Sequence, residues 1–533
     1  MIHIKLCKFF RKNLWIIVLL TLSASGIILG FWGFDKQHYN FSDNLYEIFR
    51  LFFLNISSDE LGMSWQLQWA KWLIFAALLW ATFRLFFEII APQFFKDLKI
   101  WAYYRNHIVI CGLNKVTINL TEKFRNEKII VLAENTNKYA ESINTKGAKL
   151  LIGDLSDEDF LRKAKIDKAS QFYAVTDNDK ENVEVTQTVF SVLEKTNGKK
   201  KLKCFVLVYD RELKTILEET ALFKCENNFI EDAVFNINEM GIKYGITMNI
   251  DKILSEKTPE ILLVGLTEKT EIILLNLAHC ITMQRDNFRF TIVEDSKNKI
   301  RVFEKKYTYL YDFTKIEFSN EIETEKQFSA IFICSDNQTN AIKQAVEIHY
   351  LIGEKAPNIL FFCNETDTFT KVLNDELKKK RIFPVNLFEQ IADYVFDLDK
   401  HIENMAKETH RFWNDKYQMN SEWDALSGHF KQSNRNQILD KYLKIYLARG
   451  KKFEDFKNCT ASFSDNEKET LSIMEHRRWM LEKYGNGWVA GKRNNDFKRH
   501  DCLIHWNDLS EEQKSKDKDV IDLMIKLLNN QSK

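Results

Sequence analysis

One stretch near position 110 constrains this chain more than any other. His107-Ile-Val-Ile-Cys-Gly112-Leu-Asn114-Lys-Val-Thr117 is an apolar run that ends on glycine and enters helical periodicity. Lys128-Ile-Ile-Val-Leu-Ala-Glu134 is a second apolar run, and it closes on an acid. This order predicts a βαβ unit. Backbone N–H groups at such a helix start can cradle a phosphate, and an acid about 20 residues on can hold ribose hydroxyls. Lys149-Leu-Leu-Ile-Gly153-Asp154 and Gln171-Phe-Tyr-Ala-Val-Thr176-Asp177 supply further strands. The pattern then begins again at Ile261-Leu-Leu-Val-Gly265-Leu-Thr267-Glu-Lys-Thr270, followed by Phe290–Glu294, Ala330–Asp336 and Asn358–Cys363. Two alternating units of this kind predict an α/β fold: tandem doubly wound parallel sheets with helices on both faces.

The first unit resembles the Rossmann-type domain of TrkA-like potassium-transport regulators and of the domains that regulate K⁺-channel conductance. The matching residues are His107-x-x-x-Cys-Gly112, Glu134, Gly153-Asp154 with Asp157-Glu158-x-x-Leu161, and Ala174-x-Thr176-Asp177 with Asn182. Where that family has G-x-G-x-x-G, this chain has Gly112-x-Asn114-x-x-Thr117. A side chain at the second position crowds a pyrophosphate. The nucleotide-binding set here is Gly112, Asn114, Thr117, Glu134 and Asp154; the eroded motif sets NAD or ATP behind a scaffold kept for assembly. The second motif, Gly265-x-Thr267-x-x-Thr270, is weaker still and reads as structural.

With 533 residues the chain exceeds one core. The expected division is a membrane hairpin and linker (1–105), a TrkA-N-like domain (106–250), a second Rossmann-like domain (258–400), a helical segment (401–455) and a terminal module (456–533). A net charge of +1 gives no electrostatic case for a nucleic acid polymer. Nine cysteines are scattered without a C-x-x-C pair, so no metal site is expected.

The hairpin is read from two apolar runs, about 14–34 and 69–91, each long enough to cross a lipid bilayer. Lys5, Lys8, Arg11 and Lys12 precede the first run, and Lys96, Lys99 and Arg105 follow the second. Both termini are therefore expected in the cytoplasm, with the chain in a bacterial inner membrane. Gly26-x-x-x-Gly30 permits close helix packing. Arg84 and Glu88 lie one turn apart within the second span, either as a pore or gate pair or as an interfacial anchor. Tyr46–Leu54 is a short amphipathic run, as a re-entrant helix or a surface helix would be. No Thr-Val-Gly-Tyr-Gly filter follows it.

The C-terminal region contains Met474-Glu-His-Arg477-Arg478-Trp479, Gly487-Trp488-Val-Ala-Gly491, His500 and Trp506-Asn-Asp-Leu509-Ser-Glu-Glu512. This resembles the RyR repeat, first named in ryanodine receptors. It departs where the family has Tyr-Gly and His-Pro, with Ala490-Gly491 and His500-Asp501 in their place. Trp423-Asp-Ala-Leu426-Ser427 echoes Trp506–Ser510 and marks an earlier, degenerate copy; a tandem pair can form a cleft between its copies. Trp479, Trp488 and Trp506 could stack a base beside His500, and Arg477, Arg478, Arg493 and Lys498 could pair with phosphates.

Three functions compete. One is a ligand-gated ion channel or pore, a homo-oligomer and by resemblance a tetramer, opened by a small nucleotide-like ligand. Such an architecture is also similar to second-messenger effectors of phage defence. Another is a tethered regulatory subunit of a potassium transporter that responds to NAD or ATP. The third, an enzyme, has no Ser/His/Asp or metal-ligand constellation behind it, so no catalytic residues are assigned.

Overall fold

The chain divides into two units, Met1–Tyr104 and Arg105–Lys533. The computed structural model describes residues 2–36, 40–53, 64–86, 104–196, 202–218, 220, 223, 230–254, 260–363, 368–387, 402–418, 421–423, 426, 428–450, 462–494 and 496–530.

Among the described residues, the first unit holds three helices: α1 (Ile2–Asp35), α2 (Phe41–Phe52) and α3 (Trp65–Leu85). Glycine sets their spacing. A Cβ on Gly26 would lie 2.7 Å from Ile74 of α3, and one on Gly33 would lie 2.5 Å from Leu67. Gly30 faces Ile48 of α2 in the same way. Phe34, Ile48, Leu51, Leu67, Ala70 and Ile74 form the small core. The exterior is as apolar as the interior. On α3, Trp69 and Trp72 are 59% and 61% exposed, and Leu79, Trp80 and Phe83 are exposed too. A water-facing surface does not look like this.

Among the described residues, one segment, Val18–Asp35, is long and apolar enough to cross a membrane. α3 begins four residues before the expected span, and the end of that span, with Glu88, lies outside the described residues. α2 begins at Phe41 rather than Tyr46, because Asp43 in its first turn and Arg50 in its last complement the helix dipole.

The second unit holds the two sheets. β1 (Ile108–Cys111), α4 (Lys115–Lys123), β2 (Ile129–Ala133), α5 (Ala140–Thr145), β3 (Lys149–Ile152) and α6 (Glu158–Lys163) come first. β4 (Gln171–Ala174), α7 (Asp179–Lys195), β5 (Leu202–Leu207), α8 (Arg211–Glu218) and β6 (Ile230–Phe235) complete the first sheet. Its order is β3-β2-β1-β4-β5-β6, all parallel, the doubly wound order with its crossover point between β1 and β4.

After α9 (Ile237–Met248) and α10 (Ile250–Ile253), the second sheet repeats the scheme. β7 (Glu260–Val264), α11 (Glu268–Leu277), β8 (Arg289–Val293), α12 (Lys297–Lys306) and β9 (Lys315–Ser319) are its first half. β10 (Ala330–Ile333), α13 (Gln338–Ile352), β11 (Asn358–Cys363), α14 (Thr368–Lys379) and β12 (Ile382–Asn386) are its second. The order is β12-β11-β10-β7-β8-β9, again parallel, with β7 and β10 at the switch. β12 carries Pro384, which an edge strand tolerates.

α9 joins the two halves. It follows β6 in sequence, yet Gly241 and Gly245 lay it on the second sheet. A Cβ at Gly241 would meet Leu387 at 2.8 Å, and one at Gly245 would meet Val385 at 2.8 Å.

The C-terminal part is helical: α15 (Ile402–Tyr417), α16 (Gly428–Arg449), α17 (Asp465–Gly485) and α18 (Glu511–Asn530), with the two-residue strands β13 (Val489–Ala490) and β14 (Arg499–His500) between the last two helices. The helix pairs share a local geometry. His410 Nε2 donates to the Ser421 carbonyl at 2.8 Å, and its ring lies 5.8 Å from Trp423. His476 Nε2 donates to the Ile504 carbonyl at 2.9 Å, with its ring 5.9 Å from Trp506. The turns before α16 and α18 close alike, Leu426 N–H to Trp423 O and Leu509 N–H to Trp506 O.

Candidate functional site

At the first switch point, Gly112 has φ +118°, and a Cβ there would strike the Val175 carbonyl at 2.7 Å. Only glycine fits. Asn114 caps α4 by accepting from Thr117 N–H at 3.1 Å. Its amide also donates to Val175 O at 2.6 Å and to Asp177 at 2.9 Å. The side chain at the eroded glycine position thus stitches the ends of β1 and β4 together and occupies one helix-start donor. Thr117 Oγ1 donates back to Gly112 O. Glu134 is exposed at the end of β2; Asp154 is exposed and accepts from Ser156, which lowers its pKa.

The second switch point is filled by its own side chains. Lys269 is buried, and its ammonium donates to Ser335 O at 2.8 Å and Phe362 O at 3.2 Å. Glu294, the acid at the end of β8, accepts from Leu266 N–H at 3.2 Å and pairs with Lys299 at 3.2 Å. Side chains of the protein itself therefore satisfy the backbone groups around this crevice.

α17 carries much of the C-terminal chemistry, and its faces differ. Arg477 reaches the second sheet domain: its guanidinium donates to the carbonyls of Ala278 (2.8 Å), His279 (3.1 Å) and Phe313, and to Asn287 (3.1 Å). Burial among these neutral acceptors lowers its pKa to about 10. Arg478 is buried, forked to Glu475 (2.9 Å) and paired with Glu482 (2.5 Å). Glu475 also accepts from Lys444 at 2.7 Å; Lys444 pairs with Asp440, and Asp440 accepts from His279 at 2.7 Å. This buried chain ties α16 and α17 to the end of α11. Despite burial, Arg478 and Lys444 hold the Glu475 carboxyl down at about 2, and His279 and Lys444 hold Asp440 well below its usual range.

The other face of α17 is aromatic. His476 stacks on Trp479 at 5.8 Å, Trp479 meets His500 edge-on at 4.9 Å, and Trp488 lies 6.2 Å from His500. Lys483 sits 4.4 Å over Trp488. Burial lowers the His500 pKa, helped by the Arg493 charge. Arg493 is exposed at the rim, and Lys498 donates to Asn486 O at 3.1 Å. The structure therefore links Trp506, Trp479 and Trp488 through the rings of His476 and His500, with Arg493 and Lys498 nearby, and sets Arg477 and Arg478 apart from them. His500, Asp501 and Cys502 place three ligand-type atoms within 4.8 Å of one another, but the Cys502 N–H already donates to His500 Nδ1 and Gln513 to the Cys502 sulfur.

A cleft of about 170 Å³ opens where α8, α9, α11, α16 and α17 converge. Arg211, Lys214, Lys243 and Arg478 line it as cations, and Glu218, Glu239, Asp440 and Glu482 as acids. Of these, Arg478 alone stands out in the sequence as a candidate site residue. The rest are brought together by tertiary packing across more than 200 positions. Arg84 lies in the last turn of α3.

Comparison with known proteins follows the same division. Residues 108–223 match the TrkA-N domain, and residues 455–531 match the RyR domain. Over 84 residues the chain is 34% identical to potassium channel protein 1 of Methanocaldococcus jannaschii, and over 88 residues 35% identical to its probable potassium channel protein 2. These matches cover 15% and 16% of this chain, which spans about a quarter of each relative's length (25% and 26%). Among solved structures, the GsuK channel bound to ADP is 16% identical, with TM-score 0.39 over 75% of this chain and 99% of that one. The human SLO3 gating ring is 9% identical, with TM-score 0.38 over 55% of this chain and 83% of that one.

Proposed function

We propose that this chain is the subunit of a ligand-gated ion channel related to potassium channels. The observation that carries the proposal is the outward-facing apolar surface of α1–α3 on the same chain as a TrkA-N domain. Large exposed tryptophans and phenylalanines suit lipid, and close glycine-mediated packing suits helices without a water-driven core. The three described helices enclose no path, so neighbouring copies supply the rest, as a closed tetramer. Both termini face the cytoplasm of a bacterial cell, and the regulatory input is a small nucleotide-like ligand sensed by residues 400–530. The two His-x-x-Trp helix pairs are copies of one module. Release of ion gradients on a second-messenger signal, as in phage defence, is the setting this architecture serves.

Purified protein in potassium-loaded liposomes tests the proposal. Flux that depends on an added nucleotide supports it. An assembled oligomer that stays closed with every nucleotide, yet alters flux through an added potassium transporter, replaces the channel with a tethered regulator.

A further inference from the structure

We propose that the cleft between α8, α9, α11, α16 and α17 binds a small phosphodiester monoanion of mononucleotide size, with Lys243 as its charge partner. Most of the charges in the cleft already bond one another or their neighbours. Lys214 pairs with Glu239 at 2.8 Å and Glu218 at 3.4 Å, and Arg478 pairs with Glu482 at 2.5 Å. Arg211 lies 3.8 Å from Glu271 and donates to Tyr307 at 3.2 Å. Asp440 is taken by His279 and Lys444. Among the described residues, Lys243 lines the cleft with no ion pair or hydrogen bond from its ammonium. The Asp440, Glu482 and Glu239 carboxylates act on this ammonium from a distance but none bonds it, so its direct contacts are left for an anion seated in the cleft.

The size and lining narrow the class. Ligand pockets for drug-sized molecules run to roughly 300–1,000 Å³. At about 170 Å³ this open cleft encloses part of such a ligand, the sugar and phosphodiester of a mononucleotide with the base at the mouth. Gln432, Ser433, Asn436, Asn276 and Asn486 add neutral donors and acceptors around the cation. A phosphodiester keeps a single charge across the neutral range and presents several oxygens to such donors. Burial, reinforced by the Arg478 charge, lowers the Lys243 pKa to about 8, against the pull of Asp440, Glu482 and Glu239. An arriving anion restores full protonation.

The site has a consequence for the gating proposal, on which its biological meaning rests. α8 follows strand β5 of the first sheet, whereas Gly241 and Gly245 press α9 onto the second sheet, and α11 and α16–α17 are locked together by the buried chain from His279 to Arg478. An anion held by Lys243 and touching the α8 wall of the cleft bridges these two bodies.

Calorimetry on the full-length oligomer in detergent, with the four common 3′,5′-cyclic mononucleotides as probes, tests the assignment. At least one should bind; Lys243→Gln should weaken it about tenfold or more, Lys243→Arg should retain most of it, and exposed Lys492→Gln should leave it unchanged. The bound nucleotide should also protect Lys243 from amine acylation, followed by mass spectrometry of the wild-type protein. Equal binding by Lys243→Gln, or no binding and no protection by any of the four, overturns the inference. Binding without flux would retain this site and remove the channel; flux with unaltered binding in Lys243→Gln would do the reverse.

Discussion

The two sheet domains share one strand order and differ in what fills their switch points. In the first, Asn114 pins β1 to β4 while Glu134 and Asp154 stay exposed. In the second, Lys269 and Glu294 point into the crevice and satisfy its backbone groups. The second domain is also the one the C-terminal helices grip, through Arg477 and through the His279–Asp440 bond. A doubly wound fold can fill its own switch point and still hold its place in the chain. One copy becomes a fixed platform whose polar groups are satisfied internally, and the other keeps a solvent-facing crevice rim.

The strongest way to break the comparison is to cut the grip. Glu475→Ala leaves Lys444 and Arg478 buried without their shared carboxylate, and should cost about 3–5 kcal/mol, seen as a large fall in the thermal transition. An unchanged transition would mean that the buried chain does not hold the platform. Acid reaches the same groups. The Glu475 and Glu239 carboxyls are held at about 2 in the folded protein, so their contribution is present above the unfolded value near 4.3. It is lost as pH falls from there toward 2. A pH series of unfolding midpoints should therefore steepen below about pH 4.5, and Glu475→Gln should flatten it.

Smaller effects sharpen the contrast between crevices. Asn114→Gly removes the cap and the stitch to Val175 and should cost about 1–2 kcal/mol. It also restores the glycine a pyrophosphate needs, so ADP or NAD binding by calorimetry should improve in this variant. Lys269→Ala in the second domain should cost a similar amount and yield no nucleotide binding, since Glu294 still holds the loop. The mildest change is Trp488→Ala. It removes a half-buried ring on the aromatic face and should weaken nucleotide response while oligomer size stays constant. A response equal to wild type would move the sensor off that face.

Much of this organisation is legible in the residues themselves. Continuous apolar runs ending on Gly112, Asp177, Gly265 and Cys363 mark central strands, because both faces of a parallel sheet are covered. β9, Lys-Ile-Glu-Phe-Ser, is half polar and carries no such run, and β12 is interrupted by Pro384; both are edges, where one side needs no partner. The His-x-x-Trp repeat is legible once Trp423 is aligned with Trp506. The cleft is not. Lys243 sits on an ordinary amphipathic helix, and nothing local announces that Gly241 and Gly245 will press that helix onto the second sheet. Arg477 and Arg478 are adjacent and both basic, yet one binds carbonyls 199 positions away in sequence and the other is spent on its own helix.

The proposed function couples the exposed apolar helices to the domains that follow them as one gated pore. Potassium efflux from liposomes, measured for wild type and Arg84→Ala at matched oligomer size, tests it most directly. Wild-type protein should release potassium only when a nucleotide is added, and Arg84→Ala should release it at an altered rate. No efflux from a verified oligomer with any nucleotide would contradict the proposed function.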